Sequence, residues 1–290
     1  QVGAACADGL DVTAQVGSRS IGMLMGLEAT VHPFTTHPAW LELADLSPEQ
    51  RLDRIRNDTD LQRRLVDERP DDGHVQWMNT VLQRTFELDA SVDYEPGPEQ
   101  NIAARAKALG RDPFDLALEL MLADGGNALL LHPFENYCTG DLEVVKEMLE
   151  DPNTVCGVAD AGAHVGLICD ASSPTSLLTH WARDRKRGDK MPLEFLVRKQ
   201  TLDTARVYGL MDRGVIAPGY KADLNLIDFQ ALRLHRPKLV YDLPAGGRRI
   251  IQKAEGYRHT FVSGVEVMRD GVATGELPGQ LLRGSQSAPN

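Results

Sequence analysis

Apolar and polar positions change their spacing several times along the 290 residues, and each change predicts a different element. Asp11-Val12-Thr13-Ala14-Gln15-Val16 alternates with period two between glycines, which predicts a strand running into the loop Gly17-Ser18-Arg19. From Ser47 the period lengthens. Ser47-Pro48-Glu49-Gln50 has the form of a capping box with proline at the first helical position, and Leu52 and Ile55 supply a short apolar stripe behind it. A second helix is predicted over 61–68, stopping before Pro70, and residues 75–82 read as a further strand. After the break at Pro96-Gly97-Pro98, helices are predicted over 99–109, closed by Gly110, and over 114–123, between Asp112-Pro113 and Gly125-Gly126.

The middle of the chain has α/β rhythm. The run Ala128-Leu129-Leu130-Leu131 predicts a buried strand, followed by a helix over 142–149 and a strand over 155–159. Helices over 176–185 and 193–208 come next. Beyond Gly209 the pattern is mostly β: Asp223-Leu224-Asn225-Leu226-Ile227-Asp228 alternates, and 260–267 reads as a hairpin about Ser263-Gly264, with another reversal at Asp270-Gly271. The polar residues 284–290 predict a disordered tail. Only three or four strands are legible before residue 210, whereas a (β/α)8 barrel closes with eight. Taken as a barrel, the α/β part is expected to be incomplete. The chain also opens at Gln1 rather than Met, which leads to the expectation that processing or truncation removed a preceding segment.

Charge narrows the choice of partners. Lys and Arg number 31 against 42 Asp and Glu, for a net charge of -11, so the basic face that nucleic acid requires is not expected. No apolar run reaches the ~18 residues of a membrane span, and residues 1–9 lack the basic start and apolar middle of a signal peptide, so the expected location is cytoplasmic. Cys6, Cys138, Cys156 and Cys169 show no CxxC spacing, and a buried, reduced thiol is expected at each.

The strongest chemical signal is Val155-Cys156-Gly157-Val158-Ala159-Asp160-Ala161-Gly162-Ala163-His164. A short apolar strand delivers an aspartate into a run of small residues, where backbone and ligand can approach the carboxylate closely. Asp160 reads either as a metal-held general base or as a turn residue of an ordinary loop. His164, four residues on, could orient substrate, bind metal or bond a carbonyl. Asp170 and Ser172-Ser173-Pro174 read as the cap of the next helix, and Arg183-Asp184-Arg185-Lys186-Arg187 as a solvated helix end. His32 and His37 flank Pro33-Phe34-Thr35-Thr36, but no HxH or HExxH spacing occurs, nor any GxSxG, GxxxxGK[ST] or GxGxxG motif. Serine-hydrolase, P-loop and Rossmann readings therefore find no support.

Two segments together resemble a known family. Asp160 and its neighbours resemble the last-strand aspartate of the amidohydrolase superfamily, and residues 209–228, with Pro218-Gly219-Tyr220-Lys221-Ala222-Asp223 at their centre, are similar to the stretch in which those enzymes leave the barrel for a small β domain. Val262-Ser263-Gly264-Val265, Gly271-Val272-Ala273-Thr274-Gly275 and Pro278-Gly279-Gln280-Leu281-Leu282-Arg283 resemble the tail of the N-acyl-D-amino-acid deacylase, or D-aminoacylase, branch, as do the opening strand and residues 41–65. The resemblance implies an α/β fold: the C-terminal part of a metal-dependent (β/α)8 barrel over 1–210 with a helical insertion at about 32–126, then a small β-sandwich-like domain over 211–283.

It further implies one or two zinc ions and a metal-activated water attacking the amide carbonyl of a small N-acyl amino acid, with Asp160 as metal ligand and proton shuttle. The other ligands would belong to a missing N-terminal barrel half. The insertion would cover the site, and Gln15, Arg19, His132 and His164 would make polar contacts to the substrate. Two alternatives stand beside this reading: a non-catalytic scaffold of the same shape, and an amidohydrolase acting on cyclic amides or dipeptides.

Overall fold

A computed structural model describes residues 1–158 and 163–289. The first strands are β1 (Ala14–Gly17), β2 (Ile21–Met25), β3 (Phe86–Leu88), β4 (Leu129–Glu135) and β5 (Thr154–Gly157). β1 and β5 pair in parallel, with Ala14 opposite Thr154 and Gly17 opposite Gly157. Gln15 is opposite Val155, yet a Cβ added at Gly157 would come within 2.7 Å of the Gln15 Cβ, so this close approach of the strands requires glycine. β2, β4 and β3 form an antiparallel sheet in that order. The pair β1·β5 is the one parallel pair of strands among the described residues, beside an isolated parallel bridge between Leu210 and Gln286, and no closed barrel is formed by them.

The antiparallel sheet carries two cores because its strands are apolar on both faces. Met23, Met25 and Leu130 point into a helical layer with Phe34, Ile55, Leu65 and Phe114. Leu24, Leu129 and Leu131, one residue out of phase, join Leu88, Tyr94, Cys169 and Ile250 on the other side. Close approach between β2 and β4 depends on Gly22, whose added Cβ would sit 2.3 Å from the His132 carbonyl oxygen. The helical layer is well punctuated. Ser47, Asp58, Asp72, Asn101 and Asp112 each accept a backbone N–H at the start of Pro48–Asn57, Thr59–Asp67, Gly73–Val81, Ile102–Leu109 and Pro113–Gly126.

The C-terminal region adds β6 (Leu224–Ile227), β7 (Arg233–Leu234), β8 (Lys238–Leu243), β9 (Gly247–Ile251), β10 (Ala254–Glu255), β11 (Tyr257–Val262), β12 (Val265–Arg269) and β13 (Val272–Ala273). They form a four-stranded antiparallel sheet, β13-β12-β11-β6, and the antiparallel pairs β8·β9 and β7·β10. The turns Ser263-Gly264 and Asp270-Gly271 have positive φ at both residues, the geometry that suits the twist of a two-residue hairpin.

Several expectations need correction. Residues 75–82 are not a strand: Asp72 caps a helix, and Val75, Met78 and Val81 recur every third residue on its buried side. β3 lies inside the region expected to be a helical insertion and joins the central sheet. His132 does not end its strand but lies in the middle of β4. The helix expected over 193–208 is interrupted by a π-helical turn, Lys199–Asp203. In place of a free tail, Gln286 donates to the Gly209 carbonyl at 2.8 Å and accepts from the Met211 N–H at 3.0 Å. Of the four thiols, all free, Cys169 is buried, Cys6 and Cys156 are half-buried and Cys138 is exposed. None of the helices is long and apolar enough to cross a membrane, among the described residues.

Candidate functional site

Parallel pairing of β1 with β5 brings their carboxyl ends to one edge, where Ser18-Arg19 leaves one strand and Val158 leaves the other. Asp160 lies outside the described residues. The stretch from Ala163 onwards is held by backbone bonds from three directions. The Val165 carbonyl accepts from Ile250 N–H at 2.7 Å, Gly166 from Thr30 at 3.0 Å and Leu167 from Leu24 at 2.8 Å. His164 has a left-handed backbone, φ 50°, and its carbonyl accepts from Leu167 at 2.7 Å and Ile168 at 2.9 Å, which turns the chain and leaves the imidazole exposed.

Arg19 closes this arrangement. It is 2% exposed, and its Nη2 donates to the Cys169 carbonyl at 2.8 Å and Asp170 Oδ1 at 3.2 Å, while Nη1 donates to Ser172 Oγ at 3.0 Å. The guanidinium lies 3.8 Å from the centroid of the Tyr94 ring, and its buried Nε has no hydrogen-bond partner among the described residues. A cation this deep in the protein persists only because an anion, two oxygens and a π-face replace its water. Asp170 is thus an ion-pair partner, and Ser172, at the N-cap of Ser173–Thr179, makes no side-chain cap. Nearby, Ser18 Oγ donates to the Ser173 carbonyl at 3.2 Å, and Trp181 Nε1 donates to the Ser18 carbonyl at 2.7 Å.

The other expected contact residues fall in two places. Gln15, exposed on β1, lines a cavity of about 310 Å³ at the strand ends together with Ser18, Cys156, Val158, Thr204 and Tyr208. His132 points elsewhere. It shares a face of β4 with Leu130, towards the helical layer, and its Nδ1 lies 3.2 Å from Thr85 Oγ1. Burial, with the Arg84 charge adding to it, brings its pKa down to about 4. Gln15 thus lines the cavity beside Ser18 and Val158, Arg19 is buried against Tyr94 and residues 169–172, His164 is exposed, and His132 lies on the antiparallel sheet.

His32 and His37 are core residues. His37 Nδ1 lies 2.7 Å from the Leu65 carbonyl and its ring stacks on Phe114, while the His32 ring meets Trp40 edge-on at 4.2 Å. Burial lowers the His32 pKa to about 3. No group of three or more His, Cys, Asp or Glu side chains that could hold a metal occurs among the described residues. Those residues do not by themselves make up a zinc site. Cys156 and Cys169 are pushed up to about 11 by burial, so neither is a ready thiolate.

A second charged centre has no counterpart in the sequence reading. Glu95, 2% exposed, accepts a two-pronged pair from Arg185, Nε and Nη2 each at 3.0 Å, and lies 3.0 Å from His180 Nε2 and 2.9 Å from the Leu142 N–H. Burial pushes this carboxyl's pKa up, but the hydrogen bonds from His180, Arg185 and Leu142 outweigh it and hold it down at about 2. The segment expected to be a solvated helix end is so only in part: Asp184, Lys186 and Arg187 are exposed and Arg185 is buried, while Arg183 bonds the Phe229 and Leu232 carbonyls and Arg187 those of Glu95, Pro96 and Gly140. The spacing of charges in 183–187 gives no hint of a partner about ninety residues upstream.

Two stability measurements check this description. Arg19→Met removes a buried cation from the Tyr94 ring, the Cys169 carbonyl, Asp170 and Ser172 and is expected to lower unfolding free energy in urea by about 3–5 kcal/mol, the range for breaking a buried ion pair. His132 is uncharged when folded down to about pH 4 but takes a proton near pH 6.5 when unfolded. The unfolded state therefore holds more protons between those values, and stability falls as pH drops from about 6.5 to about 4. His132→Gln is expected to flatten that part of the stability–pH curve by up to one proton.

The comparisons with known proteins bear on the same stretch of chain. Residues 14–268 match the model of the amidohydrolase family. Adenine deaminase from Sinorhizobium fredii is 33% identical over 92 residues, covering 30% of this chain and 15% of that protein. Adenine deaminase 1 from Rhizobium etli is 32% identical over 92 residues, again 30% of this chain and 15% of that protein. Among solved structures, a crystal structure of D-aminoacylase, described as defining a novel subset of amidohydrolases, is similar at 25% identity and a TM-score of 0.36, covering 68% of this chain and 37% of that one. A structure from work on the binuclear metal centre of D-aminoacylase is similar at 24% identity with the same TM-score, 0.36. The match to the deaminases spans 15% of their length. With a family model matched over most of its residues, the chain belongs to the amidohydrolase family.

Proposed function

We propose that this chain carries part of the active site of a hydrolase of non-peptide C–N bonds that deacylates N-acyl-D-amino acids. Water adds to the amide carbonyl, the C–N bond breaks, and a carboxylate and a free amine leave. In this reading Asp160 takes the proton from the attacking water and passes it to the departing nitrogen. Gln15 and His164 contact the substrate from the strand-end edge, and Arg19 acts from beneath by holding residues 169–172. His132, on the far face of β4, contributes through the fit of the helical layer. The observation that carries the proposal is the family match over 14–268, within which residues 158–163 follow the carboxyl end of β5.

One or two zinc ions belong to the proposal as the group that polarises the carbonyl, with Asp160 among the ligands. The described residues supply no ligand set. The proposal also divides the chain into a barrel portion over 1–210, with an insertion at about 32–126, and a small β domain over 211–283. The likeness to adenine deaminases favours a second reading in which the same carboxylate serves hydrolysis of a cyclic nitrogen compound.

The test is a substrate panel: N-acetyl-D-amino acids, their L enantiomers, cyclic amides and dipeptides, with release of amine followed in each case. Turnover of the D series is expected, abolished by a chelator and restored by zinc. Preference for a cyclic substrate would move the assignment to the second reading. Absence of turnover throughout, with no bound metal, would leave a non-catalytic scaffold.

A further inference from the structure

We infer that Gln252 is a positioning residue for the reaction proposed above, an inference that rests on that reading of function. Gln252 lies half-buried in the link between β9 and β10. Its Nε2 donates to the His235 carbonyl at 2.9 Å, while its Oε1 accepts from the Tyr94 hydroxyl at 3.0 Å and from the Ser172 hydroxyl. The His235 bond decides the orientation of the amide, because a backbone carbonyl can only accept. With Nε2 committed there, Oε1 faces both hydroxyls, and each hydroxyl must be the donor.

That assignment fixes the surroundings of Arg19. Ser172, having given away its proton, has only lone pairs to offer Arg19 Nη1 at 3.0 Å. Tyr94, with its hydroxyl donated to an amide oxygen, presents an electron-rich ring to the guanidinium stacked 3.8 Å from its centroid. One neutral side chain thus orients both the hydrogen-bond acceptor and the π-face of a buried cation, and that cation holds the Cys169 carbonyl and Asp170. Two residues before Gln252, the Ile250 N–H donates to the Val165 carbonyl at 2.7 Å. β9 and its exit therefore grip the stretch after Asp160 at both ends, Val165 through the backbone and Ser172 through the amide.

The role is separated from simple stabilisation by a double-mutant cycle in active, metal-loaded protein. Gln252→Met keeps the volume and removes both polar functions, and Ser172→Ala removes the hydroxyl that transmits them. Each is expected to lower kcat about tenfold with KM within about twofold, as when an interaction that orders the transition state is lost. The double variant is expected to lose clearly less than the product of the two single losses, because the Ser172–Gln252 bond is common to both. Amide hydrogen exchange over 165–172 is expected to quicken about tenfold in Gln252→Met, with helix Pro48–Asn57 unchanged. An unchanged kcat with only a lower Tm, or losses that multiply in the double variant, would overturn the inference alone. Wild-type protein without turnover on any member of the substrate panel would instead overturn the reading of function on which it rests.

Discussion

The buried guanidinium of Arg19 is the constraint around which the candidate site is arranged. Removing a guanidinium from water costs several kcal/mol, and that cost is offset only where partners of fitting geometry surround it. Here those partners come from separate parts of the chain: Tyr94 from beyond β3, Cys169, Asp170 and Ser172 from the segment after Asp160, and Gln252 at one remove from the exit of β9. Each must arrive in place for the charge to be tolerated. The cation thereby couples the strand-end edge, the central sheet and the C-terminal strands into one arrangement.

A second buried charge follows the same rule a short distance away. Glu95 is tolerated because Arg185, His180 and the Leu142 amide all point at it, and Arg185 stacks on Trp181, whose indole N–H in turn holds the Ser18 carbonyl beside Arg19. The two centres thus meet through Trp181 and Ser18. Networks of this kind tolerate the loss of a whole group of partners better than the loss of one, because the partner left behind is an uncompensated charge.

What could be read from the sequence was local. The capping box at Ser47, the hairpin turns at Ser263-Gly264 and Asp270-Gly271, and the buried strand after Ala128 declare themselves through residues within a few positions of one another. The strand containing Gln15, which ends just before Ser18-Arg19, was legible for the same reason. At Gly73–Val81 the alternation of Val75, Gln76 and Trp77 imitates a strand for three residues only, while the cap that decides for a helix is Asp72. Charges paired across about ninety or 150 residues, Glu95 with Arg185 and Arg19 with Asp170, leave no periodic trace, and neither does the face of β4 on which His132 falls. Those facts are properties of the packed chain.

The proposed function stands or falls on Asp160 as the carboxylate that moves the proton in C–N bond hydrolysis. Its most direct test is kcat for Asp160→Asn in otherwise active protein, measured beside bound metal and unfolding temperature. The account predicts that kcat falls about 100- to 10,000-fold, the loss typical of removing a general base, while the fold persists. Turnover within about twofold of wild type in a folded Asp160→Asn protein would contradict it.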